Sequence, residues 1–536
     1  MRTRLVALIL AVALAGFAAT ALAQAIQTPA EASGYSRYSQ HQEIAAFLDT
    51  ITKASKQVKV LEVGRTGEAK DFPGARIYLA VVTDEGIDAP QALNRKKPTI
   101  LVLGAQHGNE QSGKEAALAL IRDLAVGDLK PLLKQVNVLV MPQTNPYGNQ
   151  VNRRTNEQDL DLNRDHVKLE SPETRTIHAV FSRWMPEASM DVHEQGDNYY
   201  RVNTGCVTNA NIAAAIRRFE TDTIFKETSA LVTAAGYTWH EYLVTEAMGS
   251  QGAAGAPEPT DTNREMLTRP STTDLNDGRN SLGIYETISF IQEGASRHDI
   301  STLKDRTTYQ YLGIKGLVQS VARHADQVLA LVTSSRAALL AKAKAPAAGD
   351  LVHLRMVHAR DPKEPELTIQ SFEAVPRGQT PPDPRKIVTT VVKNWFPAVE
   401  PTLSVPRAYG YIVPAAHQDV VRTMRAHGIN VQTFTADTEV EVEQYRVDDL
   451  TPSTEDFVAP ERIMVTKKIV KVTAKKGDYY VSGAQPAANL IPNLLEPQAE
   501  FGFIRYRAFG LVPEKGATFP FLRVAKHLAL PLEAVK

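Results

Sequence analysis

Apolar positions in the first 340 residues follow two periods. Val58 to Val63 and Ile77 to Val82 alternate in the manner of strands. Thr99 to Leu103 is a near-continuous apolar run, the pattern of a strand buried on both faces. Val136 to Met141 and Ala188 to Val192 are further strand-like runs. Helices are predicted around Ala45, Ala46, Phe47 and Leu48 within Ser36 to Lys56, over Gly113 to Ala125, and over the Ala- and Leu-rich Ser320 to Lys344. Strands alternating with helices predict an α/β fold, a mixed, mostly parallel sheet flanked by helices. Gly249 to Asn280, rich in Gly, Pro, Thr and Asp, predicts a long loop serving as a lid or pocket wall.

Ala345 to Asp350 reads as a linker, and the texture changes beyond it. Leu351 to Ala359, Ile387 to Asn394, Val440 to Tyr445 and Ile463 to Val472 alternate as strands. Ala415 to His427 and the shorter Ala487 to Leu495 read as helices. The division expected is a first domain over residues 35–343 and a strand-rich α+β domain over residues 350–536, which carries no catalytic motif. Its most basic stretch holds Lys467, Lys468, Lys471, Lys475 and Lys476, a pattern that protects an edge strand more often than it binds polyanions.

The start of the chain changes the expected compartment. A basic Met1 to Arg4, an apolar Leu5 to Leu22 and a small-residue Ala21-Leu22-Ala23 site form a signal peptide over residues 1–23. The mature protein is therefore expected to be exported, periplasmic or secreted, with no other run long enough to span a bilayer. Cys206 is the single cysteine, so no internal disulfide can form. The 60 basic residues balance 60 acidic ones, which gives no reason to expect a nucleic-acid partner.

The chemistry lies at the ends of the strand-like runs. His107-Gly108-Asn109-Glu110 comes after the apolar run through Leu103, and His193 ends Ala188 to Val192. Two imidazoles and one carboxylate can form a facial zinc site with one position open, an arrangement suited to metal-assisted hydrolysis. A His and a Glu three apart occur on many helices without any metal role, so this pair gains weight only beside three further motifs. Asn145-Pro146-Tyr147-Gly148, Arg153-Arg154-Thr155-Asn156 and Asp161-Leu162-Asn163-Arg164 come next in order. No His-Glu-x-x-His helix exists, because His240-Glu241 lacks the second His.

Across Tyr35 to Leu340 these motifs, in this order, resemble the M14 zinc carboxypeptidase family. The resemblance implies one zinc per chain, bound by His107, Glu110 and His193. It assigns Asn163 and Arg164 to the substrate's terminal carboxylate and Arg154 to the scissile carbonyl. Both suit an Arg, whose planar fork pairs with carboxylates and whose fixed charge stabilises an oxyanion. Asp161 is the expected acceptor for the distal ring N–H of His107. The family's catalytic glutamate lies near the end of a late strand. Glu293, in Ser289 to Gly294, fits that place better than Glu286, which precedes the apolar run. Glu194 would point to the opposite face from His193.

Two departures matter. Asn109 stands where the digestive members carry a substrate-binding Arg; Arg279 could restore that charge, unless it is merely a solvated loop residue. The family's capping Tyr has only Tyr285, Tyr199 and Tyr200 as candidates. The implied activity is carboxypeptidase cleavage of a substrate with a free terminal carboxylate, a peptide. The alternatives are an acyl amino acid substrate for an N-acyl amino acid amidohydrolase, a cell-wall peptide amidase, or an inactive peptide-binding protein that keeps its zinc.

Overall fold

The computed structural model describes residues 26–69, 72–196, 201–247, 266–296, 299–373, 386–450, 463–511 and 514–535. Residues 1–23, read as a signal peptide, Tyr199, Tyr200 and the first part of the segment read as a loop over Gly249 to Asn280 lie outside the described residues. Strands β1 (Val58–Arg65), β2 (Arg76–Val82), β3 (Thr99–Gly104), β4 (Asn137–Met141), β5 (Ala188–Gly196), β6 (Val202–Gly205) and β7 (Trp239–Glu241) belong to one sheet. A hairpin of β8 (Leu243–Ala247) and β9 (Met266–Pro270) comes next, and β10 (Ile288–Ser296) returns to the sheet. The order is β1-β2-β4-β3-β5-β10-β6-β7.

The central run β4-β3-β5-β10 is parallel, while β2 and β6 join it antiparallel. Every residue of β3 and β4 is buried, which is why those segments show no alternation in sequence. Helices α1 (His41–Ala54), α2 (Gln111–Ala125), α3 (Pro172–Trp184) and α4 (Leu303–Arg323) flank the sheet. Parallel strands align their C-terminal ends, so the loops leaving β3 and β5 and the last residues of β10 open on one edge.

One helix differs from expectation. Ser320 to Lys344 is not continuous: α4 ends at Arg323 and α5 spans Ala325–Lys344. His324 (φ −109°, ψ 27°) breaks the path and its Nε2 lies 2.9 Å from Glu227. The rest of α4 escapes a periodicity search because Arg306, Thr307 and Gln310 are buried, so polar positions interrupt its inward stripe.

Beyond residue 350 the strands β11 (Leu351–Ala359), β12 (Leu367–Phe372), β13 (Ile387–Val392) and β14 (Ala398–Pro406) form two antiparallel pairs, β11 with β14 and β12 with β13. A seven-stranded sheet completes this part, edged by Met464–Ala474, which carries Lys467, Lys468 and Lys471 and pairs with Thr438–Asp449. Lys467 lies 2.9 Å from Glu443, and Lys475 lies 2.9 Å from Asp437, so part of the basic stretch is neutralised across the edge. The two helices are shorter than read, Gln418–Ala426 and Leu490–Leu495. One hydrophobic cluster joins Ile44 and Phe181 to Tyr411, Met424 and Phe503, so both parts of the chain share a core. No helix among the described residues is long and apolar enough to cross a membrane.

Candidate metal centre and active site

The chain leaves β3 through Ala105, whose φ of 56° puts an L-residue in the left-handed region at a cost of about 1 kcal/mol. The turn is held from the neighbouring loop: Asn145 donates its backbone N–H to the Ala105 carbonyl and its side chain to that of Gln106. Gly108 is forced by contact. A Cβ there would lie 2.0 Å from the Gly148 carbonyl carbon and 2.4 Å from the Arg153 oxygen. The Asn145 to Gly148 motif is therefore the wall against which the His107 turn is pressed. Glu110 then stands at the start of α2 with its side chain free of the helix end, and His193 comes from β5.

These three side chains converge. His107 Nδ1 lies 2.7 Å from Glu110 Oε1, His193 Nδ1 lies 2.7 Å from Glu110 Oε2, and the two Nδ1 atoms are 3.0 Å apart. The outer nitrogens are occupied. His107 Nε2 lies 3.0 Å from Asp161 Oδ1, and His193 Nε2 lies 2.7 Å from Asp191 Oδ2. A carboxylate can only accept, so each Nε2 carries a proton toward its acid; each Nδ1 also faces a Glu110 oxygen, and the Nδ1 proton is the one a cation would displace. Two inward ring nitrogens and a carboxylate facing one another within 4.8 Å make a ligand set that fits a cation once the nitrogens give up their protons. Burial opposes ionisation of Glu110, yet the two imidazoles hold its carboxyl below the ordinary range.

Glu293 stands beside His193 in register on the adjacent parallel strand, although β10 continues three residues past it to Ser296. Its Oε2 is buried without a partner among the described residues. Burial, reinforced by Glu110 and Asp191, pushes its carboxyl up to about 8. Glu286 lies at the other end of the strand, where it accepts the Ala213 N–H at 3.0 Å and the Asn489 side chain at 3.2 Å. Glu194 is on the far side of β5, paired at 2.5 Å with the buried Arg306.

Arg154 reaches the centre from the rim. Its Nε donates to Asp161 Oδ2 at 2.9 Å and its Nη1 lies 3.5 Å from Glu110. Asn163 and Arg164 come after Asp161 on a short helical turn, but their heads diverge. Asn163 Oδ1 accepts the Gly278 N–H at 2.8 Å, with its Nδ2 3.4 Å from His193. Arg164 is exposed and donates back to the Asn163 carbonyl at 2.7 Å.

Two expectations change here, and one unmarked residue joins the site. Arg279 is not a solvated loop residue but fully buried, donating to Asp277 at 2.9 Å and to the Thr272 carbonyl at 2.6 Å. Tyr285 cannot cap a substrate, because it is buried with its hydroxyl on the His427 carbonyl at 2.8 Å. Tyr242, which no local signal marks, lies between β7 and β8 in the field of Glu293, Arg279 and Arg164. Burial, with Glu293 beside it, raises its phenol above the ordinary value.

Comparison with known proteins bears on this arrangement. The family profile Peptidase_M14, zinc carboxypeptidase, matches residues 44–253. Carboxypeptidase 2 of Trichophyton rubrum is 23% identical over 520 residues, covering 92% of this chain and 87% of its own length. Over residues 44–253 this chain is similar to the M14 metallocarboxypeptidases. It is accordingly a hydrolase of the metallopeptidase class. Carboxypeptidase 2 of Trichophyton tonsurans is 25% identical over 488 residues, covering 86% of this chain and 81% of the relative. Among solved structures, a metallo-carboxypeptidase from Burkholderia cenocepacia superposes with a TM-score of 0.39 at 17% identity, over 54% of this chain and 70% of that one.

Proposed function

We propose that this chain is an exported, zinc-dependent carboxypeptidase that removes C-terminal residues from peptides. One observation carries the reading: two imidazole nitrogens and a carboxylate converge beside Glu293, whose buried Oε2 has no partner among the described residues. His107, Glu110 and His193 would hold the zinc, which when bound polarises a carbonyl and acidifies water. Glu293 takes a proton from the water that adds to the scissile carbonyl carbon. It then delivers that proton to the departing amine nitrogen as the C–N bond breaks. Arg154, fixed on Asp161, faces the charge that grows on the carbonyl oxygen. Arg164, exposed at the cleft, and Asn163 receive the substrate's terminal carboxylate.

The test pairs peptides ending in a free carboxylate with their amides. Zinc-loaded protein is expected to release the last residue of the free acids alone, and a chelator is expected to stop it. Equal cleavage of acids and amides would overturn the exopeptidase reading. Turnover confined to acyl amino acids would favour an amidohydrolase. Export is checked by fractionation and by an N-terminus beginning after Ala23.

A further inference from the structure

A chain of buried hydrogen bonds leads away from His193, with donors converging on Asp191 from both sides. Asp191 Oδ2 accepts from His193 Nε2 at 2.7 Å and from Gln106 Nε2 at 2.6 Å. Gln106 Oε1 lies 2.9 Å from His166 Nε2, and His166 Nδ1 lies 3.1 Å from His178 Nε2. Gln106, His166 and His178 are at most 1% exposed.

Every proton on this path is determined. The Gln106 amide cannot be reversed, since its oxygen would then face Asp191 Oδ2. Its oxygen therefore faces His166, which must carry its proton on Nε2. Burial keeps the His166 ring neutral, down to about 4, so Nδ1 is bare and accepts from His178 Nε2–H. The chain ends against the His427 ring, 4.8 Å from that of His178. His427 is fixed from the C-terminal part of the molecule, with its Nε2 3.0 Å from the Val167 carbonyl. Gly278 closes the other side: a Cβ there would lie 2.5 Å from Asp191 Oδ2 and 2.9 Å from Gln106 Nε2.

We infer that Gln106, His166 and His178 are positioning residues that orient Asp191 and so fix the proton and ring direction of His193. This deepens the zinc reading proposed above and rests on it. An ordered partner behind a metal-binding imidazole commonly accounts for 10- to 100-fold in affinity, because the ring is held in the binding tautomer. Dropping Gln106 removes one of the two bonds that Asp191 Oδ2 accepts, and dropping His166 releases the Gln106 amide, without touching any group that faces the ion.

Zinc affinity measured by chelator competition tests it, with thermal unfolding of the metal-free protein alongside. Gln106→Leu and His166→Leu are expected to weaken zinc by about ten-fold. His166→Gln, whose side-chain amide N–H can replace Nε2–H, is expected to recover to within about three-fold of wild type. A purely packing role predicts instead that His166→Gln and His166→Leu behave alike; that result, or unchanged zinc affinity in folded leucine variants, overturns the inference. Failure of the wild type to bind zinc overturns the metal reading itself and this inference with it.

Discussion

Exchanging Glu293 for Gln tests the active site with little disturbance of the fold. The side chain keeps its size, and Oε2 has no partner among the described residues, so no hydrogen bond is broken there. Burial already disfavours the charged carboxylate, with its value pushed up to about 8, so the metal-free protein is nearly isoelectronic with an amide at neutral pH. Stability should change by less than about 1 kcal/mol. Catalysis is different. An amide cannot take a proton from water, and a positioned acid–base group contributes roughly 10²- to 10⁴-fold, equivalent to about 3–5 kcal/mol in the barrier. Glu286→Gln provides the contrast: its carboxylate serves the Ala213 backbone and Asn489, so about 1–2 kcal/mol of stability should go while turnover persists. Steady-state kinetics, zinc content and melting temperature on the two purified variants are the measurements. Full activity in Glu293→Gln, or an inactive Glu286→Gln with normal zinc, would refute the reasoning.

The same geometry sets three other outcomes. Arg164→Ala should mainly raise KM for free-acid peptides, since carboxylate capture exists in ground and transition states, whereas Arg154→Ala should mainly lower kcat; the reverse split in steady-state assays would exchange their roles. Gly108→Ala sets a methyl against the backbone of Gly148 and Asn149, atoms that cannot move aside. About 1–3 kcal/mol of overpacking should appear in chemical denaturation, with weakened zinc binding because His107 is adjacent; a wild-type denaturation midpoint would contradict this contact. Buried Glu220 and Glu286 are pushed up to about 8 and about 7 by desolvation, so the folded chain keeps protons that the unfolded chain releases. Their contribution is full below about pH 4.5 and is lost as pH rises through 7 to 8. Glu286→Gln should flatten that decline in stability, and an identical pH slope in the variant would show that this carboxyl does not titrate as described.

The sequence alone determined the features that depend on neighbours along the chain. The runs through Thr99–Leu103 and Val136–Met141 are apolar throughout because parallel central strands are buried on both faces, and burial leaves its mark residue by residue. His107 and Glu110 are also local: three positions place them across one turn at the entry to α2. What only the tertiary structure decided is set by partners far away in sequence. Glu293 meets His193 because β10 pairs with β5 across 100 residues, a register that no window of sequence contains. Arg279 reads as an exposed loop residue until the surrounding chain buries it against Asp277, and Tyr285 reads as a free phenol until His427 closes over it. Tyr242 carries no signal at all, because its place among Glu293, Arg164 and Arg279 comes from a sheet edge meeting a distant turn. Periodicity records which face of an element is buried; it does not record what it is buried against, and the chemistry of this site depends on the second.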